Sequence, residues 1–259
     1  MKIAIIGGGN MGGAIARGLS QGTKIQDIYV SDVCQANLDA LKAFSNRINV
    51  STSNTENIGK ADIVLIAVKP WLVETVAREV APKIDYKRQI LMSIAAGVPF
   101  AKLTELFNPQ ATMFRMIPNT AIEVLQSLST IASLNATKEQ EETIVGIFNE
   151  LGKAVLVQES QMNAFMALSS CGIAYAFRYI RAATEGGVEM GIYPEVAKQV
   201  VLQTLRGAID LIEAHNSHPE VEIDKVTTPG GITIKGLNEM EACGFTNSVI
   251  KGLKASLIK

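Results

Sequence analysis

The sequence has few cysteines and no excess of charge of either sign, and both features narrow its possible functions. There are three cysteines, Cys34, Cys171 and Cys243. Their number is odd, they are widely spaced, and none lies in a CxxC pattern. Such thiols favour a reduced cytoplasmic setting over a disulfide framework or a metal site. Lys and Arg total 24 against 25 for Asp and Glu. This balance indicates neither a nucleic-acid partner nor an anionic membrane surface.

Long apolar runs and histidines are also scarce. No apolar run reaches the roughly 18 residues of a membrane span, and the first residues read as a strand, so we expect neither a signal peptide nor an anchor. The two histidines, His215 and His218, lie in EAHNSHPE, and we interpret them as capping or surface residues rather than a proton relay. With 259 residues, 47% of them hydrophobic, the chain can still bury a substantial core.

Short apolar runs alternate with helical patterns in the first part of the chain. KIAIIG, DIYVSD, DIVLIAV and QILMSIAAG are typical of buried parallel strands, and ATMFRMIP, LSTIASL and AVLVQ are weaker candidates for the same sheet. After Gln158 the strand patterns end, and two long apolar helices are predicted within residues 161–191 and 194–215. We therefore expect an α/β dinucleotide-binding domain over residues 1–157 and an all-helical domain over residues 158–259.

A glycine-rich turn follows the first predicted strand. Gly7, Gly9 and Gly12 fit the G-x-G-x-x-G pattern, in which bare backbone approaches a pyrophosphate at the start of a helix. Asp32 lies 20 positions after Gly12, at the end of the next strand, where ribose hydroxyls are usually bound. The pattern predicts dinucleotide binding, and the alternative is that the glycines only form a turn.

Two other segments are candidates for the same crevice. IAVKP ends a predicted parallel strand, so Lys69 is placed to contact a phosphate or carboxylate; the alternative is a solvated lysine before a helix that starts at Pro70. Asn54, in TSNTE, reads from the sequence alone as a helix-capping or turn residue.

The segment VTTPGGITIKGLNEME interrupts the helical half at residues 226–241. Two hydroxyls, a proline turn and a glycine pair precede a helix, and this combination favours an anion such as a substrate carboxylate. The alternative is that Thr227 or Thr228 caps the helix that follows.

Four segments together resemble the pyrroline-5-carboxylate reductase family: IGGGNMGGAI, AVKP, IPNT and, most specifically, VTTPGGITIKGL. The resemblance implies reduction of 1-pyrroline-5-carboxylate to L-proline with NADPH or NADH. It also implies an N-terminal Rossmann domain and a helical C-terminal domain that forms an intertwined homodimer, which in this family often assembles further.

The resemblance also implies site residues. For the cofactor they are Gly7, Gly9, Asn10, Met11, Gly12, Asn54, Ala67, Val68, Lys69, Ala96 and Gly97. For the substrate they are Thr228, Gly230, Gly231 and Thr233, with the Thr233 hydroxyl beside the imine nitrogen as the catalytic group.

Several positions depart from the family pattern. Ser170, Cys171 and Ile173 stand where the family has Gly, Ser and Pro, and we interpret Cys171 as a packing residue. Ala121 replaces a proline, and Leu125, Gln126 and Ser127 replace a Gly-x-Gly. Two alternative functions therefore stay open. One is an oxidoreductase for another small imino or hydroxy acid, although Asn163 is not followed by the lysine of the hydroxyacid dehydrogenases; the other is a non-catalytic dinucleotide-binding regulator.

Two further expectations concern the cofactor and the assembly. Asp32 should repel a 2′-phosphate, and SDVCQANLD contains no Arg or Lys to bind one, so we expect NADH to be accepted as well as NADPH or better, although Ser31 could bind the phosphate. The apolar helices carry more nonpolar surface than about 100 residues bury, so we expect a symmetric dimer through residues 160–215.

Overall fold

A computed structural model describes residues 1–257; Ile258 and Lys259, the last residues of the predicted helical domain, lie outside the described residues. The strands are β1 (Lys2–Ile6), β2 (Asp27–Ser31), β3 (Ile48–Ser51), β4 (Ile63–Ile66), β5 (Ile90–Ser93), β6 (Met113–Ile117), β7 (Ser127–Leu134) and β8 (Gly152–Leu156). The helices are α1 (Asn10–Gln21), α2 (Gln35–Phe44), α3 (Val73–Val80), α4 (Phe100–Leu106), α5 (Lys138–Phe148), α6 (Met162–Met166), α7 (Gly172–Glu189), α8 (Pro194–His215), α9 (Pro219–Val226), α10 (Ile232–Ala242) and α11 (Phe245–Ala255).

The eight strands form one sheet in the order β3-β2-β1-β4-β5-β6-β7-β8. Every neighbouring pair is parallel except β6 and β7. The carboxyl ends of β1, β2, β4 and β5 therefore share one edge, and the strand order reverses between β1 and β4. Such a reversal is where open α/β sheets bind their ligands.

The strands alternate between two cores, one on each face of the sheet. Ile3 and Ile5 belong to one buried cluster, whereas Ile6 belongs to the other; in β4, Leu65 and Val64 divide in the same way. Both faces of these strands are buried, which explains why they are apolar throughout rather than alternating.

The predicted strands, including the three weaker candidates, are confirmed in the sheet. Strand β3 was not predicted, because it has four residues at the edge of the sheet and only Ile48 is buried. The first predicted long helix is interrupted, since α6 continues through a π-helical segment, Ala167–Cys171, into α7.

The chain divides into two compact units, residues 1–170 and 171–257. In the second unit α7 and α8 pack closely at Gly187 and Ala197. A Cβ atom on Gly187 would lie only 2.9 Å from the Cβ atom of Ala197, so glycine permits this close approach. The Tyr175 hydroxyl on α7 hydrogen-bonds the Ser256 hydroxyl and donates to the Gly252 carbonyl oxygen at 3.3 Å. Between residues 1 and 257, none of the helices has the length and apolar character needed to cross a bilayer.

Candidate active site

The glycine turn after β1 is closely packed at its first and last positions. Gly7 has a φ of +106°, and a Cβ atom there would lie 2.6 Å from the Ala67 carbonyl oxygen. A Cβ atom on Gly12 would lie 1.9 Å from the Gly7 carbonyl oxygen. The fold itself therefore requires glycine at both positions, since no side chain fits in these spaces.

Gly9 differs from its neighbours. Its φ is −67°, and a Cβ atom built there would meet nothing within 4 Å. Gly9 is the N-cap residue of α1 and supplies no side-chain cap, and Asn10 at the start of the helix is exposed. The open space before the helix N-terminus fits a pyrophosphate, because the first amides of a helix attract anions.

Asp32 connects two loops at the carboxyl end of β2. Its Oδ2 accepts from the Gly8 amide at 2.6 Å, and its Oδ1 accepts from the Cys34 amide at 2.7 Å. The carboxylate thus lies beside the glycine turn, and each oxygen has one lone pair left to accept a ribose hydroxyl.

Asn54 lies in a chain of three side chains. The Ser31 hydroxyl donates to Asn54 Oδ1 at 2.8 Å, and Asn54 Nδ2 donates to Glu79 Oε2 on α3 at 2.8 Å. Asn54 lies in a bend, in agreement with the turn alternative; the helix-cap alternative is wrong, because its side chain bonds other side chains rather than the start of a helix. No sequence motif indicates Glu79, which lies 25 positions from Asn54.

The remaining predicted cofactor residues follow β4 and β5 at the same edge. The Ala67 amide donates to the Ile6 carbonyl oxygen at 2.8 Å, which holds the chain after β4 against the end of β1. Val68 is partly buried, whereas Lys69 is exposed and precedes the short helical turn Pro70–Leu72. After β5, Ala96 and Gly97 are exposed. The proposed contact of Lys69 with an anion stays a prediction.

The turn before α10 carries the predicted substrate residues. The Gly231 amide donates to the Thr228 carbonyl oxygen at 2.9 Å, and Gly230 has a φ of +72°. With Pro229 at the second position, these features are typical of a type II turn. A Cβ atom on Gly231 would lie 2.6 Å from the Thr228 hydroxyl and 3.0 Å from the Thr228 carbonyl oxygen, so a side chain here would force the turn or the hydroxyl to shift.

The capping alternative for this turn is wrong. Gly231 is the N-cap residue of α10, and no side-chain hydrogen bond caps that helix in the described structure. The Thr227 hydroxyl instead donates backwards to the Ile223 carbonyl oxygen at 3.1 Å, while Thr228 and Thr233 are exposed. The hydroxyls and the first amides of α10 are thus placed where an anion could be bound.

The two histidines are a capping residue and a surface residue, as the sequence predicts. His218 accepts from the Glu220 amide at 3.3 Å and caps α9, and His215 Nδ1 lies 3.2 Å from Glu222 Oε1. The Lys225 ammonium, with help from the Ser217 hydroxyl, lowers the pKa of the Glu222 carboxyl from 4.5 to about 2.

Two of the departures from the family pattern support the same turn after β6. The Ser170 hydroxyl donates to the Pro118 carbonyl oxygen at 2.9 Å, and the Ser127 hydroxyl accepts from the Asn119 amide at 3.1 Å. Leu125, in the segment that replaces the family's Gly-x-Gly, has a φ of +57°. Glycine adopts this left-handed conformation more easily than leucine does.

The mainly parallel sheet with its glycine turn defines a dinucleotide-binding fold, and comparisons with known proteins show to which family of this class the chain belongs. Residues 159–259 match the family model for pyrroline-5-carboxylate reductase dimerisation, and residues 2–97 match the model for NADP oxidoreductase, coenzyme F420-dependent.

Individual relatives agree with the family models. Pyrroline-5-carboxylate reductase 2 of Dictyostelium discoideum is 34% identical over 100% of this chain and 91% of its own length. Pyrroline-5-carboxylate reductase 1 of the same organism is 35% identical over 98% of this chain, which spans 48% of that relative. The crystal structure of Plasmodium falciparum pyrroline carboxylate reductase with NADP bound superposes with a TM-score of 0.88 at 27% identity, covering 99% and 95% of the two chains. The chain belongs to the pyrroline-5-carboxylate reductase family.

Proposed function

We propose that this chain is an NAD(P)H-dependent oxidoreductase that reduces the cyclic imine of 1-pyrroline-5-carboxylate to L-proline, the last step of proline biosynthesis. Family membership supports the reaction. The observation that supports the site is the Thr228–Gly231 turn together with the start of α10, where the Thr228 and Thr233 hydroxyls and an uncapped helix N-terminus are exposed in an otherwise helical unit.

The cofactor fits the edge of the sheet because the space at Gly9 is open while Gly7 and Gly12 are closely packed. The backbone from Gly7 to Gly12, with Asn10 and Met11, would hold the pyrophosphate. Residues Ala67 to Lys69 and Ala96 to Gly97 would line the crevice on its other side. When bound, the reduced nicotinamide supplies the hydride.

In the second unit, the Thr228 hydroxyl and the amides around Gly230 and Gly231 would hold the substrate carboxylate. The Thr233 hydroxyl, in the first turn of α10, would lie beside the imine nitrogen. It would orient that nitrogen and deliver its proton, unless the imine arrives protonated or takes the proton from water. Positioning therefore matters more than a strong acid.

We also infer that NADH serves at least as well as NADPH. Asp32 lies at the end of β2 with its carboxylate beside the glycine turn, and it would accept ribose hydroxyls and repel a 2′-phosphate.

The working form is proposed to be a homodimer, or a larger assembly of dimers, formed through residues 160–215. Phe177, Val200 and Ile209 support this, because each exposes more than half of its side chain in the isolated chain. The free thiols Cys34, Cys171 and Cys243 agree with a cytoplasmic location. The last strand ends at Leu156, so the change from strands to helices supports a domain boundary between residues 157 and 158, although residues 158–170 belong to the first compact unit.

A substrate panel tests this function. The purified full chain should oxidise NADH or NADPH with 1-pyrroline-5-carboxylate and yield L-proline, while small 2-hydroxy acids with NAD⁺ should give no turnover. Turnover of hydroxy acids alone would favour the related oxidoreductase. Dinucleotide binding without any turnover would favour the regulator.

A further inference from the structure

We infer that Glu79 is a specificity-determining residue, which orients Asn54 and Ser31 so that the site accepts an unmodified adenosine ribose and disfavours a 2′-phosphate. This inference rests on the proposed dinucleotide site. It assigns a role to a residue on α3 that lies outside every recognised motif of the sequence.

The polarity of the hydrogen-bond chain follows from Glu79. An ionised carboxylate can only accept hydrogen bonds, so the group of Asn54 that faces Glu79 must be the NH₂ group, and the distance is 2.8 Å. The Asn54 carbonyl oxygen must then face Ser31, also at 2.8 Å. The Ser31 hydroxyl has one proton, and it is donated to Asn54. Ser31 is therefore left with only acceptor capacity.

The direction of these hydrogen bonds matters because the series from Glu79 through Asn54 ends at Ser31, at the edge of the sheet. Ser31 is the last residue of β2, next to Asp32, at the edge where the glycine turn and the end of β1 lie. A ribose 2′-hydroxyl bound at this edge would find acceptors in the partly exposed Asp32 carboxylate and in the Ser31 hydroxyl, whose residue is 6% exposed. A 2′-phosphate has only acceptor oxygens near neutral pH and needs donors, which Ser31 does not offer in this orientation.

Charge acts in the same direction. The Glu79 carboxylate bonds Asn54, and the Asp32 carboxylate lies beside the glycine turn one residue after Ser31, so a 2′-phosphate bound at this edge would add negative charge near carboxylates. Both side chains are at least partly exposed, so solvent reduces the repulsion, and the effect should weaken with added salt.

The test measures dissociation constants for NADH and NADPH by titration calorimetry, without substrate. In the wild type, NADH should bind more tightly, and the difference should shrink between low and high salt. Glu79→Gln removes the charge and lets either the oxygen or the NH₂ group of the new amide face Asn54. The Asn54 amide can then flip, so that its NH₂ group donates to Ser31 and the Ser31 hydroxyl becomes free to donate to a phosphate. We expect the affinity for NADPH relative to NADH to rise about five- to tenfold.

Glu74→Gln is the matched control, because Glu74 lies on the same helix and pairs with Arg78 at 2.6 Å rather than with Asn54. It should leave the affinity ratio unchanged. Three results would each overturn the inference. The affinity ratio could change equally in both variants, it could stay unchanged in Glu79→Gln, or the wild type could bind NADPH more tightly than NADH.

Gly9→Val separates this inference from the proposed site. If Gly9→Val still binds NADH like the wild type, the dinucleotide site itself is wrong. If Gly9→Val loses NADH while Glu79→Gln keeps the wild-type ratio, the site stands and only the role of Glu79 fails.

Discussion

The carbonyl oxygen of Gly7 lies 1.9 Å from the point that a Cβ atom on residue 12 would occupy, whereas a Cβ atom on residue 9 would meet nothing. Two glycines of one motif are therefore required for different reasons. Gly12 lets α1 pack against the turn after β1. Gly9 leaves space that the protein itself does not fill, and a ligand explains why it is bare.

These two glycines should respond differently to substitution. Gly9→Val should keep most of the thermal stability, because its backbone is extended and its surroundings are open, but should lose NADH binding. Gly12→Val should be destabilised by roughly 3 kcal/mol or more, since the added atoms overlap the backbone. Thermal denaturation and NADH titration check both. A Gly9→Val variant with normal NADH affinity would contradict the assignment.

Thr233→Ala should reduce kcat/KM for the imine by roughly 100-fold or less, the lower end of the range for general acid assistance. The folded structure and the affinity for NADH should not change, because the Thr233 side chain is exposed on the first turn of α10. Thr233→Ser, which retains the hydroxyl, is the control and should recover most of the activity. Steady-state kinetics of the three proteins make the comparison.

Gly231→Val should be more damaging than Thr233→Ala. The added side chain would meet the Thr228 hydroxyl, 2.6 Å from its Cβ atom, and would obstruct an anion at the turn. Kinetics together with circular dichroism distinguish lost binding from lost folding. If both variants fold and reduce the imine at the wild-type rate, the substrate site lies elsewhere.

The assembly prediction concerns the exposed apolar residues of α7 and α8. The wild type should scatter light as a dimer or a multiple of it at micromolar concentration. Ile209→Asp, on a side chain that is 57% exposed, should shift the protein towards monomer. The control is Val124→Asp, which is 69% exposed in the first unit and should leave the mass unchanged. A monomeric wild type would contradict the proposed dimer.

Glu222 should make stability depend on pH. The pKa of its carboxyl is lowered from 4.5 to about 2 in the folded protein, so its stabilisation is complete above pH 4.5 and is lost as the pH falls towards 2. Glu222→Gln should therefore lower the melting temperature more at pH 7 than at pH 3. Glu220→Gln on the same helix is the control. An equal loss at both pH values would show that the charge of Glu222 is not the cause.

Sequence reasoning succeeded where the signal is local. The buried run Ile63–Ile66 and the turn from Gly7 to Gly12 depend on neighbouring residues, so pattern and spacing are sufficient. Strand β3 was not predicted, because an edge strand buries too few side chains to show a hydrophobic pattern. The bond from Asn54 to Glu79 spans 25 positions and depends on how α3 packs, which no local pattern reports.

The most direct test of the proposed reaction follows the hydride itself. The full chain is incubated with 1-pyrroline-5-carboxylate and NADH that carries deuterium at both C4 positions of the nicotinamide, and the product is analysed by mass spectrometry and NMR. The proposed function predicts L-proline with one deuterium on the ring carbon that was the imine carbon. Proline without deuterium, or no proline from a protein that binds both NADH and the imine, would contradict it.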